Sequence, residues 1–261
     1  EPTLVYADFH HINSKIPTYT NGKFIVGKDG SLWCGYLEGI FEVRYPFSET
    51  PSIQEYLKNA RDDKQSMQKI RDLLIDKYNN LWIATSSWGI YYRTLSNPLF
   101  KNLSNVDFRE MGLSQNEIIS VTGQEDGTVW MVVEYANLFR YVPQTGQLDL
   151  VSLPKDWLHD IYLQNLEMSQ DQRHLYIGSS HGVFIYDILT GKLERMSLSN
   201  DPNDYRVHTS IADLREDESG RLWVGTWGDG LLCIDNPLTS PAVMLYLSTQ
   251  TDPCILSNQI S

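Results

Sequence analysis

Apolar and polar positions alternate over short runs along this chain, and nearly every run closes on glycine, asparagine or aspartate. Alternation with a period of two puts successive side chains on opposite faces of a strand, and the punctuating residues tolerate the positive φ of tight turns, so the pattern predicts hairpins and not helices. The densest example is residues 209–235. Ile211 and Leu214 alternate toward a polar turn ending at Gly220, Leu222-Trp223-Val224-Gly225-Thr226 forms a second run, and Leu231-Leu232-Cys233-Ile234 follows the turn Gly228-Asp229-Gly230. Three strands and two turns fit this stretch.

The same unit recurs. Aligned on its aromatic, the anchors are Trp33, Trp82, Trp130, Tyr176 and Trp223, at intervals of 49, 48, 46 and 47 residues. Three positions before each anchor stand Gly30, Asn79, Gly127, Arg173 and Gly220; all but Arg173 suit the left-handed residue of a hairpin. Two positions after it come Gly35, Ala84, Val132, Gly178 and Gly225, mostly small, as expected where neighbouring sheets crowd together. The following strand opens at Gly39-Ile40, Gly89-Ile90, Asn137-Leu138, Gly182-Val183 and Gly230-Leu231, and weaker fourth strands are expected over 99–103, 148–153, 193–198 and 243–247. A repeat of this length holding four short strands predicts an all-β fold, a β-propeller of four-stranded blades. Five complete blades are expected at about 21–57, 69–104, 117–153, 159–199 and 209–247, with partial blades at 1–9 and 255–261, all within one propeller segment, 1–261. The anchors Trp33, Trp82, Trp130, Tyr176 and Trp223 are then structural: each fills the space between sheets, where burying a large apolar side chain contributes roughly 1.5 to 3 kcal/mol.

Composition narrows the function more than the fold. Of 261 residues, 41% are hydrophobic and 11% aromatic, enough for a real core, while a formal net charge of -12 argues against nucleic acid as a partner, because phosphate contacts need clustered Lys and Arg. No apolar run is long enough to span a membrane, and the first residues lack the basic and apolar regions of a secretory signal, so the chain is expected to be either cytoplasmic or a piece whose leader has been removed. Cys34, Cys233 and Cys254 form neither a disulfide ladder nor a metal spacing and are expected as free thiols. His10-His11, His159, His174, His181 and His208 fall at spacings that match no metal motif; no metal, cofactor or catalytic residue is expected.

The pattern carried by Ile211, Leu214, Asp217, Gly220, Leu222, Trp223, Gly225, Thr226, Gly230 and Leu231 resembles the two-component regulator propeller repeat. Ile70, Leu73, Asp76, Leu81, Trp82, Thr85, Gly89 and Ile90 keep it in the second copy; it is weaker around Trp33 and Trp130 and weakest around Tyr176. The resemblance implies the periplasmic sensor region of a hybrid two-component regulator of the Bacteroidetes type, detecting glycans or their breakdown products. It also implies a seven-bladed propeller; the partial blades at 1–9 and 255–261 cannot close a blade between them, so the polypeptide is expected to continue on both sides. A neighbouring propeller and an immunoglobulin-like domain would belong to the same polypeptide, which would pair as a homodimer, and the kinase would lie outside this chain.

In a propeller the turns between second and third strands share a face with the blade-to-blade connections, and that face is where a ligand is expected. Those turns supply Tyr36 and Glu38, Ser87 and Trp88, Glu134 and Tyr135, Ser180 and His181, and Trp227 and Asp229. Aromatic platforms interleaved with carboxylates and hydroxyls suit an oligosaccharide, whose C–H faces stack on rings while its hydroxyls are hydrogen-bonded. Trp88 and Trp227 have an alternative role as covers of inter-blade grooves, and the polar connections 58–69, 105–116 and 200–208 are candidates for docking a second propeller or a dimer mate. A glycan-active enzyme on the same fold and a purely architectural dimerisation propeller are the competing readings: a lyase would use a basic residue such as Arg93, Arg140 or His181, whereas the arginine cluster and Tyr-Glu pair of a sialidase are missing.

Overall fold

The computed structural model of the protein describes residues 23–36, 39–46, 48, 50–56, 70–86, 89–94, 97–103, 111, 113, 117–154, 160–197, 208–251, 255, 257 and 258, with only the backbone of Tyr36 and of 97–103. Among them are twenty strands and no helix. The strands group in fours: β1 (Phe24–Val26), β2 (Leu32–Tyr36), β3 (Gly39–Arg44), β4 (Ser52–Tyr56); β5 (Ile70–Ile75), β6 (Leu81–Thr85), β7 (Ile90–Thr94), β8 (Asn97–Leu103); β9 (Ile118–Gly123), β10 (Val129–Val133), β11 (Asn137–Val142), β12 (Gln147–Val151); β13 (Leu163–Met168), β14 (His174–Ser179), β15 (Gly182–Asp187), β16 (Lys192–Arg195); and β17 (Ile211–Glu216), β18 (Leu222–Thr226), β19 (Leu231–Asp235), β20 (Ala242–Leu247). Each group is one antiparallel sheet in sequential order, the blade of a β-propeller. The chain forms two compact units, Glu1–Glu117 with the first two blades and Ile118–Ser261 with the other three. Residues 1–9 and most of 255–261 lie outside the described residues.

The first hairpin of each blade is built by one rule. In four blades the residue six before the anchor donates its N–H four residues on and accepts one from three residues on: Gly27 with Ser31 and Gly30, Asp76 with Asn80 and Asn79, Gln124 with Thr128 and Gly127, Asp217 with Arg221 and Gly220. The third residue takes the left-handed conformation, at φ of 79°, 62°, 90° and 76°. The fourth blade departs from this. Ser169 pairs with His174 and accepts from Gln172, and Gln172 carries the positive φ of 58°. Its turn is one residue longer, so Arg173 is an insertion and not the left-handed residue that counting back from Tyr176 indicated.

A β-bulge recurs near the start of the first strand in four blades, where the register slips between Ile70 and Asp72, between Ile118 and Ser120 opposite Val133 and Val132, between Leu163 and Asn165, and between Ile211 and Asp213. In the second and fifth blades the residue that opens the slipped strand lies against the preceding blade. Ile70 of the second blade lies against Gly35 of the first, and Ile211 of the fifth against Gly178 of the fourth: a Cβ on Gly35 would sit 2.6 Å from Ile70 Cγ2, and one on Gly178 2.8 Å from Ile211 Cγ2. The crowding expected two residues after the anchor is therefore this contact.

Three of the anchors pack against the first strand of the following blade. Trp33 (7% exposed) packs in one apolar cluster with Ile70, Leu73 and Leu81, Trp130 (2%) in another with Leu163 and Leu166, and Tyr176 (0%) in a third with Ile211 and Leu214. Polar bonds accompany the packing. Ser120 Oγ and Thr122 Oγ1 accept from the backbone of Leu166 and Met168 at 3.0 and 3.2 Å, Asn165 Nδ2 donates to the Ala212 carbonyl at 2.8 Å, and Glu167 takes Arg215 Nη1 and Glu216 N at 3.1 Å each. Burial pushes the Glu167 carboxyl up from its usual range, with Arg215 working against the shift. Cys34 and Cys233 are free thiols. Burial pushes Cys34 up to about 11; Cys254 is outside the described residues.

Candidate ligand-binding site

The turns between second and third strands carry the expected contact residues, and a buried hydroxyl shapes three of them. Thr85 Oγ1 donates to the Gly89 carbonyl, Ser179 Oγ to Gly182 and Thr226 Oγ1 to Gly230, each at 2.8 Å. The same oxygens reach into the turn: Ser179 Oγ accepts from His181 N at 3.0 Å and Thr226 Oγ1 from Asp229 N at 2.9 Å. Gly230 is required twice over, by a φ of 85° and because a Cβ there would lie 2.2 Å from the Leu247 carbonyl oxygen.

The third blade has Val133 in place of the hydroxyl residue and no glycine in the turn. Its turn is tight, with Ala136 N donating to the Val133 carbonyl, and both central residues are left-handed: Glu134 at φ 53° and Tyr135 at 60°. That is the geometry for which Asn-Gly is preferred, so a Glu-Tyr pair holds strain in this turn.

Within the second unit these turns are joined to the blade-to-blade connections by a run of hydrogen bonds along one end of the strands. Leu163 N donates to the Tyr135 carbonyl at 2.6 Å, Ser180 N to the Tyr162 carbonyl at 2.8 Å, Tyr162 N to Ser180 Oγ at 2.9 Å, and Trp227 N to the Ser210 carbonyl at 3.0 Å. The rings of Tyr135 and Tyr162 meet edge to face with centroids 6.2 Å apart. Tyr162 is 60% and Trp227 47% exposed. Ser180 Oγ lies 2.8 Å from His181 Nδ1, and the His181 carbonyl accepts from Arg195 Nη2. The structure therefore brings Tyr135, Ser180 and His181 together around Tyr162, with Glu134, Trp227 and Asp229 in the corresponding turns.

Of the other expected residues, Tyr36 ends β2 opposite Gly39, and Glu38, Ser87 and Trp88 fall outside the described residues. Tyr162 and Ser210 were missed. Both stand immediately before the opening residue of a first strand, a fixed phase of the repeat, and that phase is the signal by which they can be found. Among the described residues no group of His, Cys, Asp and Glu is arranged to hold a metal ion.

The strongest electrostatic effects lie at the opposite end of the strands. Arg173 and backbone N–H groups hold Asp187 well below the usual carboxylate range; Trp223 and Arg221 do the same for Asp217, whose two oxygens accept from Ser219 N, Arg221 N, Arg221 Nε and Trp223 Nε1. These bonds organise hairpins and indoles.

Comparison with known proteins agrees with the fold. Residues 206–228 match the family described as two component regulator propeller. No curated protein matches the chain. Among solved structures it is similar to the extracellular domain of the hybrid two component system BT4673 of B. thetaiotaomicron, at 20% identity and a TM-score of 0.56 over 91% of this chain and 34% of that one. The corresponding domain of BT3049 from the same organism gives 15% identity and 0.57 over 90% and 36%. PorZ, a surface component of the type-IX secretion system of Porphyromonas gingivalis, gives 14% and 0.62 over 91% and 35%. The chain spans about a third of the length of each.

Proposed function

We propose that this chain, which carries the two-component regulator propeller repeat, is a segment of a sensor propeller that binds a neutral oligosaccharide and performs no chemistry on it. The observation that carries the reading is the exposed aromatic surface of the second unit, where Tyr162 stands edge-on to Tyr135 beside Ser180 and His181, and where Trp227 is displayed from the matching turn. Rings held by backbone bonds, interleaved with hydroxyl and imidazole groups, offer a sugar both stacking and hydrogen bonding. The shifted carboxyls support a non-catalytic role, because Asp187 and Asp217 are lowered by the partners that hold their hairpins and Glu167 is raised by its own burial. In the same reading the chain works on the periplasmic side of the inner membrane, beside a second propeller and an immunoglobulin-like domain of a longer, homodimeric regulator. Ligand binding then shifts the population of inter-domain arrangements.

Calorimetric titration with a panel of neutral oligosaccharides tests this. A saturable heat is expected for at least one, with Tyr162→Ala and Trp227→Ala each weakening it about tenfold, the loss of one stacking contact. Absence of binding across the panel, or turnover of a glycan by the chain, would sink the reading.

A further inference from the structure

The repeat supplies its own control for the turn that holds Tyr162. Ser180 in the fourth blade and Trp227 in the fifth stand at the same phase, immediately after the buried hydroxyl of Ser179 or Thr226. Each donates its N–H to the carbonyl of the residue that precedes its own blade's first strand, Tyr162 at 2.8 Å and Ser210 at 3.0 Å. Trp227 has no side-chain oxygen with which to return a bond. Ser180 has one, and its Oγ accepts from Tyr162 N at 2.9 Å. Tyr162 is thereby bonded to one serine through both its N–H and its carbonyl, and the next N–H, that of Leu163, goes to the Tyr135 carbonyl at 2.6 Å. A side chain that is 60% exposed thus stands on a backbone tied to two turns.

Counting donors and acceptors places the protons of the fourth turn. Ser179 Oγ gives its proton to the Gly182 carbonyl at 2.8 Å and accepts the His181 N–H at 3.0 Å. The His181 carbonyl takes Arg195 Nη2, and the Arg195 guanidinium lies 5.9 Å from the centroid of the Phe184 ring. With the backbone of His181 bonded on both sides, its Nδ1 stands 2.8 Å from Ser180 Oγ. A serine hydroxyl has one proton and two lone pairs. One lone pair of Ser180 is taken by Tyr162 N, and Nδ1 of His181 is within reach of the proton. In neutral His181 Nδ1 is then the acceptor, and the ring proton sits on Nε2, at the far edge of an exposed side chain.

We infer that Ser180 is a positioning residue for the stacking platform Tyr162, and that His181, held in the Nε2–H form by Ser180, is the specificity-determining donor beside it. The inference rests on the sugar-binding reading of this face and adds what the ligand has to present. An apolar C–H face lies on Tyr162, and at its edge an oxygen lone pair meets His181 Nε2–H. A protonated amine placed at that edge meets a donor and is refused, so free amino sugars are excluded there.

The free chain tests the proton placement. Ring-¹⁵N spectra are recorded at a pH where the imidazole is neutral, with His181 assigned by its loss in His181→Phe. The Nε2–H tautomer is expected to dominate in the parent and in Ser180→Thr, which keeps the hydroxyl, and to give way toward the mixture of a free imidazole in Ser180→Ala. An Nδ1–H tautomer in the parent overturns the inference. Calorimetric titration with cellotetraose, maltotetraose and xylotetraose tests the consequence for recognition. Ser180→Ala is expected to weaken binding about fivefold, the loss of one hydrogen bond, and His181→Phe about tenfold, with Ser180→Thr restoring it and circular-dichroism spectra unchanged. Because Ser180 acts through Tyr162, the loss on Ser180→Ala is expected to shrink below about twofold in a Tyr162→Ala background. In the complex the Nε2–H signal is expected to persist and to exchange more slowly with water. Undiminished affinity in Ser180→Ala, an equal loss in both backgrounds, or disappearance of the Nε2–H signal on binding overturns the inference and leaves the sugar-binding reading standing. Failure of the parent to bind any of these sugars counts against both.

Discussion

Asp217 shows how one side chain can serve a turn and a core position together. Its Oδ1 ties the N–H groups of Ser219 and Arg221 and so closes the hairpin, while its Oδ2 receives Arg221 Nε and Trp223 Nε1 and so orients the anchor. Every one of these bonds favours the ionised carboxylate, which is why its folded-state pKa is depressed. A depressed pKa contributes stability that is fully present above the unfolded value, about 3.9, and is lost as pH falls through the folded value. Asp217→Asn is thus expected to be less stable than the parent at neutral pH, with the gap narrowing as pH drops below about 4. Chemical denaturation at several pH values checks this; a gap that stays constant down to pH of about 2 contradicts it.

At the scale of elements, the hairpin code was legible because each of its parts has a chemical reason to be where it is. The anchors, the glycines that follow them and the glycines that open the third strands kept phase along the chain, and the structure puts strands at those positions. The turn of the fourth blade was not legible by counting, because the extra residue is absorbed before Tyr176 and Gln172, a residue with no special tolerance for positive φ, takes the left-handed place. The candidate site was legible only in part. Turn residues announce themselves by position, but Tyr162 lies in a connection whose sequence is unconstrained by alternation, and its pairing with Tyr135 depends on how two blades meet.

The turn of the third blade is the element where local preference and observed residues disagree most. Replacing Glu134-Tyr135 by Asn-Gly removes two bulky left-handed residues, each costing of order 1–3 kcal/mol. A gain of at least about 1 kcal/mol after the entropy of glycine is counted, equivalent to at least roughly 2 °C in melting temperature, is expected together with weaker oligosaccharide binding. Scanning calorimetry and the titration described above read the two effects separately; a more stable variant with undiminished binding would show that the strain has no part in recognition.

For the whole molecule, charge and repetition set the terms of association. A net charge of -12 disfavours polyanions, and recognition through stacking and hydroxyl contacts does not depend on long-range attraction. The chain is therefore expected to pass unretarded through a heparin column at about 0.15 M salt, where screening reaches about 8 Å, and to keep its oligosaccharide affinity within twofold when the salt is raised to about 1 M. Retention on heparin, or a steep loss of sugar affinity with salt, would point to a cationic surface as the recognition element.

The contacts of Ile70 and Ile211 with a glycine of the preceding blade have a consequence for how such a chain can evolve. Gly35 accepts Ile70 and Gly178 accepts Ile211, whereas the third blade offers Val132, packed in the same cluster as Leu163, at the equivalent place. The blades look like interchangeable copies, but each is cut to fit its own successor. A third blade duplicated in front of the fifth would press the valine side chain into space that Ile211 already fills. Order along the chain is thus written in pairs of residues on successive blades, and recombination that shuffles whole repeats has to carry both members of a pair or lose the fit.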